Sequence, residues 1–119
     1  MFINYSNHPS SEWSEAQLAK AKKYGEIVDI PFLQVDPNFT SEQVRSLAVT
    51  EAKKIMSYHP DVVMCQGEMT LLYNIVSVLK ANGITVVGAT SERKVVMQEN
   101  LDGVTQKSLI FEFVQFREY

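Results

Sequence analysis

Short apolar runs alternate with helix-spaced apolar positions through Ala89. Phe2-Ile-Asn-Tyr-Ser6, Glu26-Ile-Val-Asp-Ile30, Val62-Val-Met-Cys65 and Ile84-Thr-Val-Val-Gly-Ala89 are short and largely apolar, which predicts buried strands. The stretches between them carry helical spacing. Trp13, Leu18 and Ala21 fall on one side of a first helix, with Lys20, Lys22 and Lys23 on the other. Ser11 is its expected N-cap, and the helix is expected to run to Tyr24 and stop at Gly25. Thr40-Ser-Glu-Gln43 has the form of a capping box and opens a second helix carrying Val44, Leu47, Ala48, Ala52, Ile55 and Met56. Leu71, Leu72, Ile75, Val76 and Leu79 mark a third helix, closed by Asn82-Gly83.

Strand–helix repeats imply a parallel sheet with right-handed crossovers. After Thr90 the pattern changes. Lys94-Val-Val-Met-Gln98 and Ser108 to Phe116 both read as strands, and Asp102-Gly103 between them is a hairpin signal. The expected fold is therefore α/β, a single Rossmann-like three-layer sandwich over residues 1–119, mainly parallel and ending in an antiparallel β-hairpin.

Composition narrows the function. Hydrophobic residues make up 45% and charged residues 21% of the chain, ordinary for a soluble globular domain. A net charge of −3 argues against general DNA or RNA binding, while leaving room for one small anionic ligand. The single cysteine, Cys65, rules out an intrachain disulfide, fits a reducing cytoplasm and reads as core packing. No signal peptide is expected, because Asn4 interrupts the short apolar start and no basic n-region precedes it, and no membrane span, because no apolar run approaches the ~20 residues a span needs.

In an open α/β sheet, ligands bind beyond the carboxyl ends of the strands, where strand order reverses. An order beginning 2-1-3-4 places that switch between the first and third strands. Three loops then converge: Ser6-Asn7-His8, Gln66-Gly67-Glu68 and Thr90-Ser91-Glu92-Arg93-Lys94. The turn after Cys65 aims helix N-terminal N–H groups at the sheet tip, a setting that suits anions, and Gly67 is expected to admit a ligand or supply φ > 0. Each residue also has a plainer reading. His8 and Glu68 could serve helix starts, Thr70 and Tyr73 could pack, and Arg93 and Lys94 could be solvated charges. His59 falls at the opposite end of the sheet and is set aside. No P-loop, dinucleotide fingerprint, metal-ligand spacing or nucleophile elbow is present.

Gln66-Gly67-Glu68 with Thr70 and Tyr73, the segment Thr90 to Val96, the ending Phe111 to Tyr119 and the opening Asn4 to Pro9 carry a resemblance. Together they resemble small CRISPR-associated proteins similar to CARF domains, the Rossmann-like modules that bind cyclic oligoadenylate in type III CRISPR systems. The resemblance implies a cytoplasmic homodimer that holds one ring-shaped ligand, expected to be cyclic tetra-adenylate, across its two-fold axis. It further implies a ring nuclease without metal or other cofactor, in which a ribose 2′-OH attacks the adjacent phosphorus. His8, Arg93 and Glu68 are the expected catalytic groups. Ser6, Asn7, Ser10, Ser11, Gln66, Gly67, Thr70, Tyr73, Thr90, Ser91 and Lys94 are the expected substrate contacts. Where family members have Asp after Gln-Gly, this chain has the longer Glu68. A non-catalytic sensor or sponge, or a structural α/β subunit, would share much of this pattern.

Overall fold

A computed structural model describes all residues, 1–119. Its sheet has the order β2-β1-β3-β4-β5, with β1 Phe2–Tyr5, β2 Ile27–Ile30, β3 Val62–Cys65, β4 Thr85–Glu99 and β5 Thr105–Glu118. The first four strands in this order pair in parallel, and β4 with β5 antiparallel. Strand order therefore reverses beside β1, as the alternation of apolar runs predicts. No helix is long and apolar enough to cross a membrane.

Alternation along the strands divides the core into two layers. Ile3, Tyr5, Val63, Cys65 and Val86 face α2 (Ser41–Met56) and α3 (Met69–Ala81), which fill that side with Ala48, Ala52, Ile55, Leu71, Ile75 and Leu79. Phe2, Met64 and Val87 face the other way, against Trp13 and Ala21 of the smaller α1 layer. The result is a three-layer α/β sandwich. Cys65 lies in the larger layer, and burial pushes its thiol up to about 12.

Thr40 caps α2 by a capping box, its hydroxyl accepting from the Gln43 N–H while the Gln43 carbonyl accepts from the Thr40 N–H. The expected Ser11 cap is corrected. Ser10–Glu12 form a 3₁₀ turn, and α1 (Glu15–Lys22) begins two residues after Trp13, capped by Ser14, which accepts from the Gln17 N–H at 3.2 Å. The physical reason is Trp13, whose indole N–H donates to the His8 carbonyl at 3.1 Å and holds the turn outside the helix.

The larger departure lies beyond Ala89. Thr90 to Lys94 is not a loop. β4 runs unbroken for 15 residues and pairs with β5 out to Glu99–Thr105. No Pro or Gly interrupts residues 89–102, so nothing in that stretch opposes an extended ladder. The strand reverses at Asn100 to Val104, with Gly103 at φ 79°, where the Asp-Gly signal predicts it. Beyond the body the hairpin is a free two-stranded arm. It raises the radius of gyration to 17.3 Å, against about 13–14 Å for a compact chain of this length.

Candidate functional site

Two clefts flank the carboxyl ends of the central strands, one on each face of the sheet. The cleft on the α1 face has a volume of about 520 Å³ and is walled by His8, Trp13, Gln17, Gln66, Ser91, Phe111 and Phe113. Three segments remote in sequence meet there, and His8, Gln66 and Ser91 are brought together as the strand order predicts. The bulge between Thr90 and Ser91 interrupts the β4–β5 register at the point where the arm passes this cleft.

The loop that presents His8 is held by a partly buried polar network. Asn4 donates from its Nδ2 to the His8 carbonyl and to Asp29 Oδ1, both at 2.9 Å, and accepts from the Ser6 hydroxyl at 2.6 Å. Asp29 also accepts from the Ser10 N–H and hydroxyl. Ser6 and Ser10 are thus engaged in positioning the loop. The His8 imidazole itself stands at the mouth, its Nε2 3.9 Å from a Glu12 carboxylate oxygen. Asn4 and Asp29 escape a reading of the sequence by function, but they leave a signal. Each is a polar residue within an otherwise apolar strand, and the two are register partners.

Gln17 is a second omission. Its side chain is 7% exposed, yet its one polar contact is a weak 3.9 Å approach of Nε2 to the Met64 sulfur. The rest of the amide opens on the cleft. Its free hydrogen-bonding capacity is open to water at the cleft, because no buried side-chain polar atom lacks a partner.

The second cleft, about 640 Å³, lies on the α2–α3 face and is lined by Asp36, Phe39, Arg45, Glu68, Thr70 and Tyr73 among others. Glu68, Thr70 and Tyr73 therefore stand apart from His8. Glu68 is the N-cap of α3, accepting from the N–H groups of Thr70 and Leu71 at 3.0 and 2.8 Å and from the Thr70 hydroxyl. The Leu71 N–H, followed by the Thr70 hydroxyl and N–H, holds this carboxyl below its ordinary range. The chain's own carboxylate thus occupies the anion-friendly helix start.

Gly67 also differs from expectation. Its φ is not positive, and the Phe32 ring packs directly against it. A Cβ there would lie 2.5 Å from three atoms of the Phe32 ring. Asn7 borders a smaller recess of about 190 Å³ with Asn4, Ser6 and Asp29, and Ser11 lines neither cleft. Thr90 turns to the face opposite Ser91, donating its hydroxyl to the Gln115 carbonyl at 2.9 Å.

The two expected cations are separated by strand alternation. Lys94 pairs across from Ile110 and is bound to Glu112, with Glu92 at 3.9 Å; the Glu112 hydrogen bond and charge, then Glu92, raise its pKa. Arg93 pairs across from Phe111, which lines the α1-side cleft, so it shares that face at the cleft's outer rim. No cluster of three or more His, Cys, Asp or Glu side chains is placed to hold a metal ion.

An α/β domain with a polar and aromatic crevice at its topological switch point is the class this fold and site define. Residues 1–117 match the family described as the Uncharacterized protein MJ1673 family, and the chain belongs to that family. No curated protein matches the chain.

Proposed function

We infer that this protein is a ring nuclease of the cytoplasm, which binds and linearises a cyclic oligoadenylate, cyclic tetra-adenylate first among candidates. It would act as a homodimer that holds one ring between two crevices and so ends type III CRISPR signalling. The observation that carries the reading is the meeting of His8, Gln66 and Ser91 beneath Phe111 and Phe113 in one crevice. Its volume of about 520 Å³ suits a single nucleotide unit rather than a whole ring. Trp13, Phe111 and Phe113 offer stacking surfaces for a base, each such contact being worth about 1–3 kcal/mol. The Gln17 and Gln66 amides can pair with a base edge, and Ser91 with a ribose hydroxyl.

The chemistry asks little of the protein beyond geometry. The ribose 2′-oxygen attacks phosphorus, and the bond from phosphorus to the 5′-oxygen breaks. His8, oriented by its loop and flanked by Glu12, takes the 2′-OH proton, and the 5′-oxygen leaves as a hydroxyl by taking a proton from solvent water. Arg93, at the rim and without a carboxylate partner in its own chain, is the cation available to the phosphate. Glu68 and Lys94, each engaged elsewhere, are assigned no catalytic role in this reading.

Incubation with cyclic tetra-adenylate and cyclic hexa-adenylate in EDTA, with products resolved by mass spectrometry, tests it. Linear products ending in a 2′,3′-cyclic phosphate are expected. Rings bound but left intact would replace the enzyme with a sensor or sponge. A protein that neither binds nor cleaves either ring would reject the assignment.

A further inference from the structure

Both faces of the β4–β5 arm are exposed, and one of them carries the larger apolar surface. Residues opposite one another in an antiparallel ladder share a face. One face carries Glu92 with Glu112, Lys94 with Ile110 and Val96 with Ser108, and is laced by the Lys94 ion pairs. The other carries Arg93 with Phe111, Val95 with Leu109, Met97 with Lys107 and Glu99 with Thr105. On that second face Val95, Met97, Leu109 and Phe111 are 59, 57, 52 and 71% exposed. A two-stranded ribbon is marginal alone in water, and three or more strands with an enclosed apolar face are needed for independent stability.

We propose that this face is covered by the same face of a second copy of this chain, packed across a two-fold axis with the two arms antiparallel. Along β4 the pattern is self-complementary, as an isologous contact requires. Arg93 stands near the base of the arm, Glu99 near its tip, and Val95 and Met97 lie between them. Turning the arm end for end about the position midway between Arg93 and Glu99 sets Arg93 against the partner's Glu99, twice, Val95 against the partner's Met97, and Leu109 against the aliphatic stem of the partner's Lys107, whose ammonium reaches out to solvent. The result is a four-stranded sandwich at the ~10 Å sheet spacing. With side chains of about 150–200 Å² each, the four exposed apolar residues offer roughly 400 Å² per copy. That approaches the apolar share, about 56–65%, of the ~800 Å² per partner in a standard interface.

The arrangement also bears on the crevice. Phe111 belongs both to its wall and to the packed face, so dimerisation brings each arm tip to the mouth of the other copy's crevice. A guanidinium has five N–H donors, so Arg93 can hold the partner's Glu99 by one edge and keep another for a phosphate.

The proposal rests on the homodimer of the proposed function and names its interface; sedimentation equilibrium of the full chain tests it without any nucleotide, and ring cleavage assayed on the same variants separates a failed interface from a failed ligand reading. The wild type is expected to be a dimer. Val95→Glu combined with Leu109→Glu, both at exposed side chains, is expected to give a monomer with an unchanged far-ultraviolet circular dichroism spectrum. Arg93→Glu and Glu99→Arg are each expected to weaken the dimer by about tenfold or more, and the two together to restore it to within about threefold. Within one chain these residues lie ~20 Å apart along the strand, so restoration can come only from contact between copies. A monomeric wild type, a dimer indifferent to Val95→Glu with Leu109→Glu, or charge reversals whose losses add would overturn the proposal.

Discussion

Replacing Gly67 by Ala should destabilise the protein because of Phe32, whatever binds nearby. The added methyl would sit 2.5 Å from Cγ, Cδ1 and Cδ2 of that ring, against the 3.5–4.0 Å at which carbon atoms rest. The ring cannot easily withdraw. Phe32 is 5% exposed and packs on Tyr5 with ring centroids 5.1 Å apart. Overpacking of this kind costs about 1–3 kcal/mol. Because φ at Gly67 is not positive, Ala restricts the unfolded chain without backbone strain there, which returns about 0.4–1 kcal/mol. The net expectation is a loss of about 1–2 kcal/mol, seen as a fall in Tm of about 4–8 °C. Urea unfolding of Gly67→Ala, Phe32→Leu and the double variant reads the coupling directly. In the Phe32→Leu background the methyl has room, and Gly67→Ala should cost less than about 0.5 kcal/mol. Equal losses in both backgrounds, or no loss in the wild type, would refute the argument.

Other expectations follow from the same contacts. Glu68→Ala should cost about 0.5–1 kcal/mol at neutral pH, as loss of an exposed N-cap does, and leave ring cleavage within about twofold. Since folding lowers the Glu68 pKa, its contribution is present above the ordinary carboxylate value of ~4.3 and is lost as pH falls through the folded value. The Tm gap between wild type and Glu68→Ala should therefore be full above about pH 5 and close on further acidification; a gap that does not change with pH contradicts the capping role. His8→Ala should slow cleavage by about 10²–10⁴-fold in single-turnover assays, and a change within about twofold removes His8 from the mechanism. Tyr119 donates its hydroxyl to the Cys65 carbonyl at 2.7 Å, immediately before the Gln66 turn. Tyr119→Phe leaves that carbonyl short of a partner and should cost about 1–2 kcal/mol by chemical denaturation.

Strand order was legible because each parallel strand is an apolar run and each connection has helical spacing, which together leave few topologies. The capping box was legible because its two hydrogen bonds are both local. What escaped depends on contacts across the sheet. Nothing near Thr90 announces that β4 continues, since the signal is only the absence of a breaker and the length of β5. Glu68 and Gly67 were read as facing a ligand because a strand-to-helix turn permits it, yet one caps its own helix and the other makes room for Phe32, a residue 35 positions earlier. His8, Gln66 and Ser91 were grouped correctly because all three follow or interrupt strands at the switch point. Gln17 was missed because only burial distinguishes it from an ordinary helix-surface amide.

Amide chemical-shift mapping with cyclic tetra-adenylate on the full chain tests most directly the claim that the α1-side crevice is the ligand site. Shifts centred on the Trp13 indole, the Gln17 side-chain amide, Gln66 and Ser91 are predicted, with Arg45, Tyr73 and Asn74 on the opposite face unmoved. Shifts confined to that opposite cleft, or none at saturating ring, would contradict it.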